Sequence, residues 1–485
     1  MKNFILLVRK TLTICFFLIN GIFNAQDLQL TFSDKVFTSP EYKPLSCISH
    51  NGSFLYFQKS KTSKYCDFKL NIFNEDLKST NQFDVEFSNE TFLGVRLLFQ
   101  KVMLFTSRRN GEFTFLVSRQ LDFNNGFTSE KIIYQEKNIS GYPSNFIIAD
   151  SVLKEQVMVL VELPYQPKKN EDIRLLKFDE SYNLEQKIYN KLEVPFETKR
   201  DNKILISPYG KVILMKTFWK KGNNFYIYVL GSEVLNEVEI KLNQRKLSSI
   251  DYFFNDKKEL VVAGFFTSPV RYNFEGFFIH KYDQDMDIVH KNQYFFNKNI
   301  VEAFKSGKEI KESGFGLDKF RIKDFSQDNV GNHFLLAEHF SKERIKDKTK
   351  WVSNGIVVIK FNKNGNYVWG CPVVLDQNNE SSNFMGVFRL NSHEKTRYFF
   401  NELNNLGLRK GVPIEFGENN FTGTKTLSFS PVGLVEENDL KITFPSSEGQ
   451  KFAFYPKQLN PESSLVSIYA ILNGDVSKVM LGLVK

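Results

Sequence analysis

Three kinds of residue here could do chemistry at short range: cysteines, histidines and a run of alternating aspartates. The cysteines are Cys15, Cys47, Cys66 and Cys371. As thiolates they would serve as nucleophiles, metal ligands or disulfide partners. Cys47 and Cys66 are the closest pair beyond the first segment. The strand pattern puts Cys47 on the first strand of a sheet and Cys66 at the start of the third, about 10 Å apart at ordinary strand spacing. A disulfide needs Cα atoms within about 7 Å, so the expectation is buried free thiols. The six histidines are His50, His280, His290, His333, His339 and His393, and none lies in a helical zinc-protease motif. His333 and His339 share one face of a predicted strand but stand roughly 20 Å apart at strand rise, too far for one ion. Asp283, Asp285 and Asp287 alternate like the opening of a calcium loop, but Ile288 follows where glycine should, and no bidentate Glu is placed to close it. They read as a plain turn. There is no G-x-S-x-G elbow and no phosphate loop. A carboxylate pair for glycoside hydrolysis is recognised by separation in space, and 55 acidic residues hide any such pair. The reading therefore names no catalytic, cofactor-binding or metal-binding residue and no cofactor.

The elements that would position any site are strands. Short runs rich in Val, Ile, Phe and Tyr recur along the chain: Ser53–Phe57, Val102–Thr106, Val157–Val161, Val212–Phe218, Leu260–Phe266, His333–Phe340 and Arg397–Leu403. Their length and composition are those of buried strands. A second family of segments reads Lys, aromatic, Asp or Asn, three variable residues, Asn or Asp, then an apolar residue. It occurs at Lys177–Leu184, Lys281–Ile288 and Lys360–Tyr367. Asx residues make turn hydrogen bonds and tolerate left-handed backbone, so each copy predicts a β-hairpin, with a tight primed turn at Asn364-Gly365. Weaker copies sit at Phe73-Asn74, Phe123-Asn124 and Phe429-Ser430, with Leu230-Gly231 as a further candidate. Ser326–Phe334 faintly resembles the Asp-box turn of sialidase propellers, one residue out of register.

The marker positions 73, 123, 178, 230, 282, 361 and 429 are separated by 50, 55, 52, 52, 79 and 68 residues. About 50 residues per four-stranded unit is the spacing of a β-propeller blade. The long fifth interval holds one helical pattern, near 300–311, with Val301, Phe304 and Ile310 on its apolar side. One more period after 429 reaches Val484. That leaves the last unit one strand short, and Leu28–Phe32 alternates as an edge strand should. The predicted fold is all-β: a single β-propeller over 26–485, of four-stranded antiparallel blades, eight by count and seven next. The N-terminal strand closes the ring. A solenoid or stacked sandwiches would not give hairpin copies at this period. The many Phe residues fit blade-to-blade packing.

Residues 1–25 carry Lys2, Arg9 and Lys10, then an apolar run from Thr11 to Phe23 and a small residue, Ala25, before Gln26. This is the order of a cleaved signal peptide, with the cut between Ala25 and Gln26. The run is too short for a spanning helix, and no later stretch is long and apolar enough, so no membrane span is expected after cleavage. Losing the leader lowers the net charge from +9 to +6. Lys168-Lys169-Asn170-Glu171 and Lys342-Glu343-Arg344 mix signs and read as solvated loops. No basic stripe with interleaved aromatics suits nucleic acid.

The stretch Asn354–Trp369, the segment Tyr455-Pro-Lys-Gln-Leu, and the endings Leu465–Leu472 and Lys478–Lys485 resemble the repeats of exported, uncharacterised propeller-like proteins of Bacteroidetes, over residues 140–485. The resemblance implies fold and source and carries no functional residue. The expected function is a secreted or periplasmic, non-enzymatic binding or scaffold protein of the bacterial envelope. The insertion 296–320 and the loop Ser341–Val352 would project to dock a protein partner. The alternative is a hydrolase of glycans or peptides with carboxylates at the propeller funnel. Lys478–Lys485 also superficially resembles the finish of a C-terminal sorting domain, as in a surface adhesin, but the period assigns it to the ring.

Overall fold

The computed structural model describes residues 30–33, 42–60, 62–151, 155–219, 223–231, 234–268, 273–345, 348–379, 385–391, 396–403, 421–430, 432–439, 451–454, 465–472 and 475–484. The leader and its cleavage point at Ala25 and Gln26, and His393, lie outside them. Almost every described segment is strand, arranged as antiparallel units in chain order. Unit 1 holds Tyr42–His50, Ser53–Ser60, Cys66–Asn74 and Ser79–Phe87. Unit 2 is built on Glu90–Leu98, Lys101–Asn110, Phe113–Asp122 and Lys131–Lys137, and unit 3 on Asn145–Ile148, Val157–Glu162, Asn170–Phe178 and Leu184–Pro195. Units 4 (Arg200–Ile206, Val212–Trp219, Asn223–Leu230, Val234–Glu239) and 5 (Lys246–Phe254, Leu260–Thr267, Phe274–Tyr282, Ile288–Phe295) are bridged into one sheet by a single pair, Asn223 with Leu247. Unit 6 comprises Phe320–Gln327, His333–His339, Lys348–Phe361 and Tyr367–Asn379, and unit 7 Val387–Asn391, Thr396–Leu403, Phe421–Phe429 and Val435–Asp439. In unit 8, Lys451–Phe454, Leu465–Leu472 and Asp475–Val484 are joined by the N-terminal strand Leu30–Phe32, with Leu30 opposite Val484.

The apolar runs of the sequence are the second strands of units 1 to 7. Their continuous hydrophobicity has a physical cause: each is buried on both faces. Val157, Val159 and Val161 pack toward unit 2, while Met158 and Leu160 pack toward unit 4. Val261 and Ala263 face unit 6, while Leu260 and Val262 face unit 4. The core is therefore a series of layers between consecutive units. Each fully buried Leu, Val or Phe contributes about 1.5–3 kcal/mol.

The Asx turns recur as read. In the hairpin after Phe178, Asp179 Oδ1 accepts from the backbone N–H groups of Ser181 and Asn183. Asp283 does the same for Asp285 and Asp287, Asn362 for Asn364 and Asn366, and Asn74 for Asp76 and Lys78. The three alternating aspartates are a turn, as their spacing suggested. The Asp-box-like segment is the same turn between first and second strands, with Asp328 accepting from Val330 and Asn332. The form differs from the primed turn expected at Asn364-Gly365. It is a four-residue turn in which the Gly365 N–H donates to Asn362 O, and Gly365 takes φ 92°. A left-handed residue closing such a turn matches the twist of the strands as a primed turn would. Tyr182 and Met286 hold the same place at φ 59° and 65°.

The long interval before Phe361 corrects the single helix near 300–311. Two short helices occupy it, Lys298–Glu302 and Gly307–Ser313. The first helix ends at Ala303, and Ser306 starts the second with a capping box: its side chain accepts from Glu309 N–H and Glu309 reaches back to its backbone. The insertion does not simply project. Ile300, Val301 and Leu317 are buried in the layer between units 5 and 6. Gly355 and Gly370 leave room for it; a Cβ on them would sit 2.5 Å from Phe304 and 2.8 Å from Ile300. The segment 341–352 is likewise a paired hairpin, Ser341–Ile345 against Lys348–Val352.

Candidate ligand site on the first strands

The first strands of units 4 to 7 bring charged side chains to one level. Lys203 pairs with Met215, Asp251 with Ala263 and Asp324 with Leu336, each partner being the fourth residue of its second strand. The three side chains thus hold equivalent positions in consecutive units. In unit 6 a β-bulge directly precedes the acid, between Ile322 and Asp324, and in unit 5 one lies further upstream on the same strand, between Leu247 and Ser249. Bulges re-aim side chains in this way beside functional sites. Gly264 makes the one in unit 5 possible: a Cβ there would lie 2.0 Å from Ser249 O.

Asp324 Oδ2 accepts from Ser326 Oγ at 2.8 Å and lies 3.2 Å from Arg389 Nε on the first strand of unit 7. The Arg389 side chain is only 10% exposed, yet among the described residues its Nε and Nη1 make no hydrogen bond, and the ion pair with Asp324 is what meets the guanidinium. Tyr398, opposite Arg389, is buried with an unpartnered hydroxyl. Burial pushes that phenol well above its ordinary range. Asp251 Oδ1 accepts from the Tyr252 N–H at 2.9 Å. Burial pushes the Asp251 carboxyl up to about 6; the neighbouring Asp324 charge adds to this, and Lys203 opposes it. Lys203 Nζ also stands 5.6 Å from the Tyr252 ring. The group holds two carboxyl groups, of which Asp251 ionises reluctantly, beside the Arg389 guanidinium.

Two further polar clusters hold units together. Glu90 receives Arg119 at 2.8 and 2.9 Å and Thr106 at 2.5 Å, and Arg119 lies over the Phe87 ring. Glu171, Lys216, Arg200 and Asn202 form the second, across units 3 and 4. Glu171 and Lys216 are fully buried and ion-paired, which corrects the reading of Lys168–Glu171 as a solvated run: Glu171 opens inward on its strand. Glu162 accepts from Asn202 at 2.7 Å, and burial raises its pKa and lowers that of Lys216.

The cysteines lie where the strand pattern put them, and Cys47, Cys66 and Cys371 are free. Burial pushes the Cys66 thiol up to about 12. His333 and His339 are both buried on one strand. Among the described residues neither ring nitrogen of His333 has a hydrogen-bond partner, and burial drives its pKa down to about 4 and that of His280 to about 3. Among the described residues no three His, Cys, Asp or Glu side chains come together as a metal site, and no helix is long and apolar enough to cross a membrane. Asp251, Asp324 and Arg389 escaped the sequence reading. Their strands mix polar and apolar residues, so nothing local marks them; Asp251 and Asp324 do share one distance from the start of the second strand of their own unit.

No protein-family model and no curated protein matches the chain. Solved structures resemble it weakly. A protein of unknown function from Bacteroides caccae is 12% identical, covering 63% of this chain and 90% of its own, with a TM-score of 0.30. The β-propeller domain of the Trilobed protease from Pyrococcus furiosus is 10% identical over 71% of this chain and 96% of its own, with a TM-score of 0.35. Prolyl oligopeptidase B from Galerina marginata is 10% identical over 92% of this chain, with a TM-score of 0.42; the match spans only 56% of that protein.

Proposed function

We propose that this is an exported binding protein of the bacterial envelope, whose ligand meets the Lys203–Asp251–Asp324–Arg389 cluster. The carrying observation is Arg389: nine-tenths buried, ion-paired to Asp324, with Nε and Nη1 making no hydrogen bond among the described residues. Buried polar groups in native proteins are nearly always satisfied, so such an orphan asks for a missing partner. The scaffold is an eight-bladed propeller of the kind found in uncharacterised Bacteroidetes exports. Its blades are the eight units, and Leu30–Phe32 fastens the last to the chain's start. Burial of both faces of the second strands in units 3 and 5 and the pairing of Leu30–Phe32 with the strand ending at Val484 support that reading. Export rests on the leader pattern of residues 1–25.

The test is affinity capture from fractionated envelope with wild-type protein and with Arg389→Ala. A ligand or partner retained by wild type and lost by the variant supports binding at the cluster; equal retention places the function elsewhere. Asp251 favours a second reading. A carboxyl held near pH 6 beside a second carboxyl could serve as the proton donor in acid–base hydrolysis. Glycan or peptide turnover with a pH limb near 6, abolished in Asp251→Asn, would select the hydrolase.

A further inference from the structure

Binding at the first-strand cluster leaves open which ligand it suits, and the unpaired groups there point to one class. Asp251 and Asp324 hold equivalent positions on the first strands of neighbouring units, Asp251 feels the Asp324 charge, and its one hydrogen bond among the described residues comes from the backbone of Tyr252. A carboxylate offers about four acceptor sites. Two residues earlier on the same strand, the buried Ser249 Oγ also lacks a partner. This side of the cluster is short of donors. The Arg389 side is short of acceptors: apart from the Asp324 ion pair, Nε and Nη1 make no hydrogen bond among the described residues.

Resting on the binding reading above, we infer that the cluster takes a free α-amino acid or the amino terminus of a peptide. The ammonium lies against Asp251, Asp324 and Ser249, and the adjacent carbonyl or carboxylate oxygen meets Arg389. An ammonium supplies several N–H donors and the positive charge that paired acids lack. An acceptor oxygen one carbon away fits a guanidinium fork. An inorganic cation would satisfy only the acids, an inorganic anion only Arg389, and a neutral glycan offers no charge to either.

The experiment is calorimetric titration of the full chain with L-alanine, trialanine, N-acetyl-trialanine, glucosamine and calcium chloride. Alanine or trialanine should bind, and the stronger of the two identifies the source. N-acetyl-trialanine and glucosamine should bind at least tenfold more weakly. Asp251→Asn should weaken the binding tenfold or more, and Ser249→Ala, a milder change, several-fold. Equal binding of trialanine and N-acetyl-trialanine, both lost in Asp251→Asn, would overturn the ammonium assignment while leaving the binding reading in place. Binding that neither Asp251→Asn nor Ser249→Ala affects would move the site away from the cluster. No binding by alanine or trialanine, or an Asp251-dependent response to calcium alone, would also refute the assignment.

Discussion

Lys216 is the residue on which the contact between units 3 and 4 depends most sharply. Its ammonium is fully enclosed, and Glu171 neutralises it there. Removing one partner of such a pair strands a buried charge, which costs about 3–5 kcal/mol, whereas replacing both with apolar side chains of similar volume is often neutral. Lys216→Ala should therefore lower the urea midpoint strongly, and the double change Lys216→Met, Glu171→Leu should restore most of it. The histidines set the acid limit. His280 and His333 are held neutral by burial at about 3 and about 4, below their unfolded value near 6.5. Their contribution is present above pH 6.5 and drains as pH falls toward the folded values, because the unfolded chain takes up the protons. By pH 5 each should have cost about 2 kcal/mol. Asp251 runs the opposite way: its pKa is raised in the fold, so it destabilises near neutrality and ceases to do so as pH falls from about 6 to about 4. Denaturant titrations at pH 7 and 5 should show a net loss, smaller in His333→Leu. At this scale the sequence was least informative. Asp251 and Arg389 look like any other charged residues, and only the register of strands far apart in sequence makes them neighbours.

Among elements, the hairpins were legible because their chemistry is local. The Asx side chain, the turn it closes and the left-handed residue after it lie within five positions, so Asp179, Asp283 and Asn362 declared themselves. The second strands were legible for a different reason: burial on both faces makes them apolar throughout. Bulges are decided across strands and leave almost no local trace. The one before Asp251 needs Gly264, since a Cβ would meet the Ser249 carbonyl oxygen at 2.0 Å. Gly264→Ala should push that first strand outward, cost about 1–3 kcal/mol, and reduce ligand capture with it. Loss of stability with full capture would mean that the bulge does not position the acid. The helical insertion was seen but taken as one helix. Ile300 and Ile310 carry the apolar pattern through, while the break at Ser306 is a capping motif that periodicity does not weigh.

For the whole molecule, the period of about 50 residues carried most of the information, because every unit repeats the same demand: cover two apolar faces with neighbours. The strand Leu30–Phe32 then completes the unit built from the last residues of the chain. In a closed propeller this pairing fastens the ring, so loss of its hydrogen bonds should be felt globally. Deleting residues 26–33 should lower Tm by 10 °C or more in a single cooperative transition. An unchanged Tm, or early melting of unit 8 alone, would argue for an open array in which each unit leans only on its neighbours.

The site depends on two half-buried acids from consecutive units, one feeling the charge of the other. That is read most directly by following the side-chain carboxyl carbon of Asp251 by NMR from pH 3 to 8, in wild type and in Asp324→Asn. A midpoint of about 6 is predicted, falling in the variant as the neighbouring charge is removed but staying above the ordinary aspartate range because burial remains. A midpoint near 4 that ignores the substitution would mean that Asp251 and Asp324 do not form one site.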